Sequence, residues 1–111
     1  MAEVPYGTLD LLVLKTLDSM GPLHGFGIAR RIEQVAENLV RLNQGSIYPA
    51  LVRLEQNGWI QAQWGTSELG RKARYYSITP RGRKQLTTEI DNWERATAFV
   101  ARFLQASGDS K

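Results

Sequence analysis

Apolar residues recur at spacings of three and four along four segments of the chain, the pattern of helices that bury one face. The first of these segments covers residues 8–20. Two apolar stripes run along it, Leu9, Leu12, Val13 and Leu17 in one and Leu11 and Leu14 in the other. A helix that is apolar on more than one side is buried on more than one side. The second stripe therefore packs either within the core of the chain or against a partner chain.

Gly21 and Pro22 interrupt this pattern, because neither residue continues a helix well. A second helix is expected from residue 24 to about residue 39, with His24 as a capping or hydrogen-bonding residue at its start. The apolar residues expected to face inward are Ile28, Ile32 and Val35. The charged residues expected to face water are Arg30, Arg31, Glu33 and Glu37.

The third segment, residues 43–58, has an apolar side and a polar side. Ile47, Leu51 and Leu54 share one face at ~100° per residue. Small and polar residues form the other side, namely Ser46, Pro49, Arg53 and Gln56, with Tyr48 and Val52 on the flanks. Asn43 can cap this helix, since its side-chain oxygen can accept a free backbone N–H of the first turn. The pattern is typical of a surface helix, or of a short helix that enters the major groove of DNA.

After Gly58, which favours the left-handed geometry that ends helices, the period changes to two residues. Residues 59–64 alternate as a half-buried strand does. The side chains expected on its core side are Ile60, Ala62 and Trp64. Residues 65–70 form a loop, and residues 71–78 form a second strand with Tyr76 and Ile78 on the core side. The two strands should pair as a hairpin with a basic edge.

Thr79 and Pro80 begin the last helix, Thr79 as its cap and Pro80 at the first helical position, where a missing N–H costs nothing. This helix should extend to about residue 105, a length of about 39 Å. Its heptad seam consists of Leu86, Ile90, Trp93, Thr97, Val100 and Leu104, with Ala96, Phe99 and Phe103 beside it. A helix of this length extends past a small domain and exposes an apolar strip that monomers rarely show. We therefore expect a homodimer. Residues 106–111, after the end of this helix, are expected to form a disordered tail.

The composition excludes several classes of function. The chain has no cysteine and a single histidine, His24, which argues against a disulfide framework and against a zinc site. Its acidic residues form no metal or glycine-rich motif, so we expect no cofactor, no metal and no enzymatic activity. No run approaches the ~18 apolar residues of a membrane span, which predicts a cytoplasmic protein without a membrane partner.

The charges are distributed unevenly. The net charge of +3 permits nucleic-acid binding without arguing for it. Between residues 71 and 84, however, the chain carries cations and no acid: Arg71, Lys72, Arg74, Arg81, Arg83 and Lys84. Such a cluster beside a short polar helix favours contact with phosphates.

Three helices, a hairpin and a last helix follow one another in the order of a winged helix-turn-helix, a mainly α fold with a small β-hairpin. The third helix of that fold reads DNA and the hairpin is its wing. We assign residues 1–79 to a DNA-binding domain and residues 80–105 to a C-terminal dimerisation helix of the same compact unit. A winged-helix module that binds protein is the alternative.

Four stretches occur in a specific order along the chain: GTLDLLVLKTL at 7–17, LHGFGIARRI at 23–32, QGSIYPALVRLEQNGWI at 44–60 and RKARYYSITPRGRKQL at 71–86. In these stretches the chain resembles the PadR-like transcriptional regulators, of the short type with a single C-terminal helix. The resemblance implies a homodimeric repressor that binds double-stranded DNA at a dyad-symmetric operator. The DNA contacts that it implies are Gln44, Ser46, Tyr48, Pro49, Arg53, Arg71, Lys72, Arg74 and Tyr75.

The chemistry of these side chains suggests different roles for them. Arg53 is the best candidate to reach a guanine edge, although a phosphate is equally within its reach. Ser46 and Tyr48, near the start of their helix, suit phosphate oxygens beside oriented backbone N–H groups.

The resemblance also implies a binding site for a small aromatic or hydrophobic effector. Multidrug-sensing members of the family stack flat ligands on an aromatic residue of the C-terminal helix at the dimer centre, and Trp93 matches that position. The alternative is that Trp93 only fills the dimer core. Residues expected at this effector site and dimer interface are Leu11, Leu14, Trp93, Ala96, Phe99, Val100 and Phe103.

Overall fold

The computed structural model describes residues 2–3, 8–37, 40–42 and 44–109. The helices are α1 (Leu9–Met20), α2 (Gly25–Val35), α3 (Gln44–Gln56) and α4 (Pro80–Asp109). The strands are β1 (Ala2–Glu3), β2 (Leu23–His24), β3 (Val40–Arg41), β4 (Ile60–Thr66) and β5 (Lys72–Ile78). Asn43, the expected cap of α3, lies outside the described residues.

The core lies where the first three helices meet the sheet, and Leu86 at the base of α4 closes it. Its largest fully buried side chains are Val13, Leu14, Leu17, Ile28, Ile47, Leu51, Leu54 and Ile60. Burial of one such side chain contributes about 1.5–3 kcal/mol, so this cluster holds the helices together. Leu14 is 0% exposed. Its predicted place at an interface between chains is therefore wrong, because α1 is the central helix and packs against the other three helices and β5.

The start of α2 matches the sequence pattern, whereas its end does not. His24 caps the helix as predicted, since its Nδ1 accepts a hydrogen bond from the Gly27 N–H at 3.0 Å. The helix ends at Val35 rather than near residue 39, because Glu37 adopts a left-handed φ of 54°. Val35 is exposed, contrary to its predicted inward orientation. Glu33 does not simply face water either, since its Oε2 accepts a hydrogen bond from the Leu42 N–H at 2.9 Å.

The predicted hairpin is present as part of a three-stranded antiparallel sheet. Strand β5 lies in the centre, with β2 and β4 on its two sides. The sequence did not predict β2, because two residues are too few to show an alternating pattern. A separate parallel pair joins β1 to β3.

The core covers only the part of the hairpin that is nearest to its base. Ile60 pairs with Ile78 and Ala62 with Tyr76, and Tyr76 and Ile78 are buried as predicted. Trp64 was expected on the same side and does lie there, but it is 64% exposed. The hairpin is longer than the core, because its strands continue past Trp64 to the pair of Thr66 with Lys72.

The junction between the hairpin and α4 is tight. Thr79 caps α4 as predicted, since its Oγ1 accepts a hydrogen bond from the Gly82 N–H at 3.0 Å. The same hydroxyl donates to the Gly58 carbonyl oxygen at 2.7 Å, and the Thr79 N–H donates to that of Trp59 at 3.0 Å. A Cβ atom on Gly82 would lie 1.9 Å from the Trp59 carbonyl oxygen, so only glycine fits there.

Helix α4 has 30 residues and is about 45 Å long. It continues to Asp109, so the prediction of a disordered tail is wrong for residues 106–109, while residues 110–111 lie outside the described part of the chain. No proline follows Pro80, and Gly108 costs a helix only about 1 kcal/mol. Residues 91–106 are exposed along the whole projecting part of the helix.

Together these elements form a winged helix-turn-helix with a long C-terminal helix, the predicted fold class. The hairpin is the wing, and the exposed part of α4 projects from the domain in a molecule that measures 63 × 31 × 21 Å. Within the described ranges, no helix is both long enough and apolar enough to cross a membrane.

Candidate nucleic-acid interface

Helix α3 buries one side and exposes the other, as its sequence pattern predicts. The buried residues Ile47, Ala50, Leu51 and Leu54 are at most 1% exposed. The exposed residues are Gly45, Ser46, Tyr48, Pro49, Val52, Arg53 and Gln56. The side chain of Gln44 lies outside the described part of the structure. The outer surface of the first two turns thus carries no charged or aliphatic side chain longer than proline, apart from the amphipathic ring of Tyr48, and this suits entry into a groove.

Tyr48 connects α3 to the start of α2. Its ring lies against Gly25, where an added Cβ atom would be 2.9 Å from the Tyr48 Cε1. A side chain at Gly25 would push the ring away, so this glycine permits the close approach of the two helices. Tyr48 nevertheless remains 41% exposed and is available to a ligand on the outer side of α3.

Arg53 is directed toward α1, where its guanidinium forms an ion pair with Asp10. The two side chains are 52% and 23% exposed, so water screens the attraction, and such a pair is worth at most about 1 kcal/mol. The sequence pattern identified Arg53 as an outward residue but gave no sign of Asp10 as its partner. In this arrangement the guanidinium of Arg53 is bound to the first turn of α1.

Arg74 ties the wing to α3. Its Nη2 lies 3.0 Å from Oε2 of Glu55, near the end of α3, and its guanidinium lies 6.0 Å from the centre of the Tyr76 ring. Burial raises the pKa of the Tyr76 hydroxyl above its usual value; the Arg74 charge opposes this rise, whereas Glu55 and Tyr48 add to it. Because Glu55 offsets the charge of Arg74, this arginine attracts phosphates less than the sequence suggested.

The two faces of the wing have different neighbours. Trp64 pairs with Arg74 and Thr66 with Lys72, and directly paired residues point to the same side of an antiparallel sheet. Since Arg74 reaches Glu55, this side is the one that faces α3. The Lys72 Nζ lies 5.9 Å from the centre of the Trp64 ring. Trp64 is therefore part of the surface beside α3, which the sequence pattern missed by assigning it to the core.

Tyr75 lies on the opposite face of the wing. An added Cβ atom on Gly65 would be 2.9 Å from the Tyr75 ring, whose edge also meets the His24 ring at 5.5 Å between centroids. The Tyr75 hydroxyl donates to the Thr66 carbonyl oxygen at 3.3 Å. These contacts direct Tyr75 away from α3, so it does not share a surface with the other residues of the expected DNA-contacting set.

The cations of residues 71–84 do not form one patch. Arg71 and Lys72 are exposed on the wing and form no ion pair with any described residue. Arg83 pairs with Asp18 of α1 at 3.3 Å. Arg81 lies against Gly58, its Nη1 3.0 Å from the position of an added Cβ atom. Arg71 and Lys72 are therefore cations of the wing that remain accessible to a partner.

A second surface lies on α4. It is an exposed apolar strip that consists of Trp93, Phe99, Val100, Phe103 and Leu104. At its start, a cavity of about 170 Å³ opens between α1 and α4. The cavity lining consists of Thr8, Leu11, Glu89, Asn92, Trp93 and Ala96. The structure thus brings Leu11, Trp93 and Ala96 together, whereas Phe99, Val100 and Phe103 lie further along the helix.

Residues 13–88 match the family described as "Transcriptional regulator PadR-like family". The chain is 40% identical over 91 residues to a 37.1 kDa transposon protein of Streptomyces fradiae, a match that covers 82% of this chain and only 24% of that protein. A solved transcriptional regulator from Clostridium thermocellum is 30% identical, with a TM-score of 0.80 over 87% of this chain and 93% of that one.

Bacillus subtilis PadR, solved in complex with operator DNA, is 22% identical with a TM-score of 0.66, over 78% of this chain and 48% of that one. At this identity the likeness is one of fold. The family consists of transcriptional regulators rather than enzymes, as the composition led us to expect. A family match over most of the sequence, together with a fold shared with solved regulators, shows that this chain belongs to the PadR-like family of transcriptional regulators.

Proposed function

We propose that this chain is a sequence-specific DNA-binding repressor that acts as a homodimer. The observation that carries the proposal is the exposed side of α3 together with the face of the wing that is directed toward this helix. Ser46, Tyr48 and Pro49 lie on the helix, and Arg71 and Lys72 lie on the wing. The major groove, about 12 Å wide, accepts an α-helix, while cations beside it contact the phosphates.

Within this surface the residues take different roles. Ser46 and Tyr48 suit phosphate oxygens near the start of α3, where backbone N–H groups and the helix dipole favour negative charge. Arg53 reads a guanine edge or holds a phosphate once it has exchanged Asp10 for DNA. Arg71 and Lys72 supply attraction that does not depend on sequence.

A salt titration on duplex DNA tests this function. The logarithm of the affinity should fall linearly with the logarithm of the salt concentration, because bound phosphates release their counterions. A protein without appreciable affinity for any duplex at low salt would contradict the proposal and favour a winged-helix module that binds protein.

The apolar strip on α4 supports the homodimer. A projecting helix that exposes several large apolar side chains needs a partner surface, and a second copy offers the same strip in a two-fold arrangement. Two copies of α3 would then meet two half-sites with centres about 34 Å apart, or a multiple of that spacing. Selection of bound duplexes from a random pool should return dyad-symmetric sites. Single, asymmetric half-sites would contradict the dimer.

Repression follows if the dimer occupies a promoter. In transcription with purified polymerase, adding the protein should lower the yield from a promoter that overlaps a selected site. It should leave the yield from the same promoter with a scrambled site unchanged. A higher yield on the intact site would mark the protein as an activator.

The cavity between α1 and α4 supports a small aromatic effector. Trp93 offers a ring for stacking, Leu11 and Ala96 offer apolar walls, and the carboxylate of Glu89 favours a cation. At about 170 Å³ the cavity is comparable to one of about 150 Å³ that binds benzene, so a larger ligand would need space from a second copy.

Proflavine, a flat aromatic cation, is a suitable probe for this cavity. Its titration without DNA should quench tryptophan fluorescence in the wild type. Trp93→Ala should abolish that binding, and Glu89→Gln should weaken it. If Trp93→Ala binds proflavine as the wild type does, the cavity is not the site and Trp93 serves only to pack the dimer.

A further inference from the structure

Building on the proposed DNA-binding function, we propose that Trp64 is a DNA contact of the wing. Its indole face packs against the sugar–phosphate backbone of the duplex, and Lys72 pairs with an adjacent phosphate. This assignment concerns the backbone rather than the bases, so the contact should operate on any duplex sequence.

The position of Trp64 on the wing is the first argument. Trp64 continues the line of core-facing residues from Ile60 and Ala62, yet no core covers it and it is 64% exposed. Its direct pairing with Arg74, which contacts Glu55, places its side chain on the side of the wing that faces α3. A large aromatic ring is therefore presented on the same surface as the exposed residues of α3.

The second argument is the cation beside the ring. The Lys72 Nζ lies 5.9 Å from the centre of the Trp64 ring, and Lys72 forms no ion pair with the described residues. The ring and the ammonium thus form one unit, in which an apolar face and a positive charge lie side by side. Deoxyribose and phosphate alternate in the same way along a DNA strand, so one unit can contact both.

The third argument is that two neighbouring side chains of the wing already have partners within the protein. On the other face, the Tyr75 ring covers Gly65 and its hydroxyl binds the Thr66 carbonyl. Arg74 fixes the hairpin to α3 through Glu55. These contacts restrict the hairpin before DNA arrives, which lowers the conformational entropy that the wing loses on binding.

Charge selects duplex DNA as the occupant of this surface, over an apolar protein partner. Arg71, the last residue of the wing loop directly before Lys72, is also exposed. A protein partner would need acidic residues opposite these cations, whereas every DNA strand carries the matching charge.

Substitution on the two faces of β4 tests the inference. Trp64→Ala should weaken binding to a short random-sequence duplex and to a selected operator alike, by about tenfold, which corresponds to about 1.4 kcal/mol. Gln63→Ala is the matched control, because Gln63 is the preceding exposed residue and points to the opposite face. It should change the affinity for either duplex less than twofold.

A spectroscopic readout does not depend on the affinity of a variant. The protein has three tryptophans, so incorporation of 5-fluorotryptophan gives three fluorine resonances, and Trp64→Phe identifies that of Trp64. On addition of the random duplex, the Trp64 resonance should shift and become protected from a soluble paramagnetic quencher. The Trp59 resonance, from a half-buried ring at the base of the hairpin, is the internal reference.

The outcomes separate this inference from the function on which it rests. If the wild type binds no duplex at low salt, both fail. If the wild type binds DNA while Trp64 stays accessible to the quencher and Trp64→Ala keeps its affinity, only the contact by Trp64 fails. A loss confined to the selected operator would make Trp64 a base contact and would also contradict the backbone contact proposed here.

Discussion

The guanidinium of Arg53 on α3 forms an ion pair with the carboxylate of Asp10 in the first turn of α1. Helix α1 also carries Leu11 and is preceded by Thr8, both of which line the cavity beside Trp93. Arg53, the proposed base-reading residue, therefore pairs with the helix turn that borders the cavity.

Asp10→Asn should strengthen binding to a selected operator, because it removes the carboxylate that forms the ion pair with Arg53 and a negative charge from the domain. Arg53→Ala should weaken operator binding by tenfold or more, since a bidentate base contact is worth about 1–3 kcal/mol, and should weaken random-duplex binding less. Fluorescence anisotropy on both duplexes gives these affinities.

The double variant completes a thermodynamic cycle. If Asp10 acts through Arg53, Asp10→Asn should have a smaller effect when Arg53 is already alanine. Equal effects in both backgrounds would show that Asp10 acts only by its charge. Equal losses on both duplexes for Arg53→Ala would make Arg53 a phosphate contact.

Replacing the two accessible wing cations, by Arg71→Gln together with Lys72→Gln, should flatten the salt dependence of DNA binding. The slope of log affinity against log salt should fall by roughly one for each phosphate contact that is lost. Arg102→Gln is the charge control, because Arg102 is exposed near the far end of α4. An unchanged slope in the wing variant would show that Arg71 and Lys72 do not contact the phosphates of the DNA.

Gly82→Ala should destabilise the fold, because a Cβ atom there would lie 1.9 Å from the Trp59 carbonyl oxygen and the backbone would have to move. The expected loss is about 2 kcal/mol or more, which thermal unfolding would report as a drop of roughly 10 °C.

Gly27→Ala is the matched control for this variant. Its nearest contact would be 3.4 Å to His24, an ordinary distance, and alanine favours a helix more than glycine does. It should be neutral or slightly stabilising. Equal melting temperatures for the two variants would show that the backbone at the base of the hairpin accommodates the added Cβ atom at little cost in stability.

Val100→Glu should weaken the proposed homodimer, because it places a charge in the middle of the apolar strip of α4. Ala98→Glu adds the same charge on the opposite side of the same helix and should leave the assembly intact. Light scattering coupled to size exclusion, over a range of concentrations, gives the mass of each variant. A wild type that is monomeric at all concentrations would overturn the proposed dimer.

The sequence pattern alone determined much of this protein. The helical period identified α1, α3 and α4, the capping residues His24 and Thr79 were predicted from their chemistry, and the change to a period of two located the hairpin. These features depend on neighbours within a few residues, so the local sequence contains the information that fixes them.

Only the tertiary structure decided which residues on the apolar face of each element are buried in the core. Alternation placed Trp64 and Tyr76 on one face, but the size of the core determines that Tyr76 is buried and Trp64 is exposed. In the same way, the second apolar stripe on α1 was compatible with packing in the core of the chain or against a partner chain. The other elements pack around α1, and Leu14 of this stripe is buried in the core.

The ion pairs of Asp10 with Arg53 and of Glu55 with Arg74 join residues that are 43 and 19 positions apart. The orientation of the helices and the hairpin brings these charges together. A periodic pattern reports which face a residue occupies, whereas the partner across a gap depends on how the whole chain packs, and this is why the tertiary structure decided the electrostatics of the candidate site.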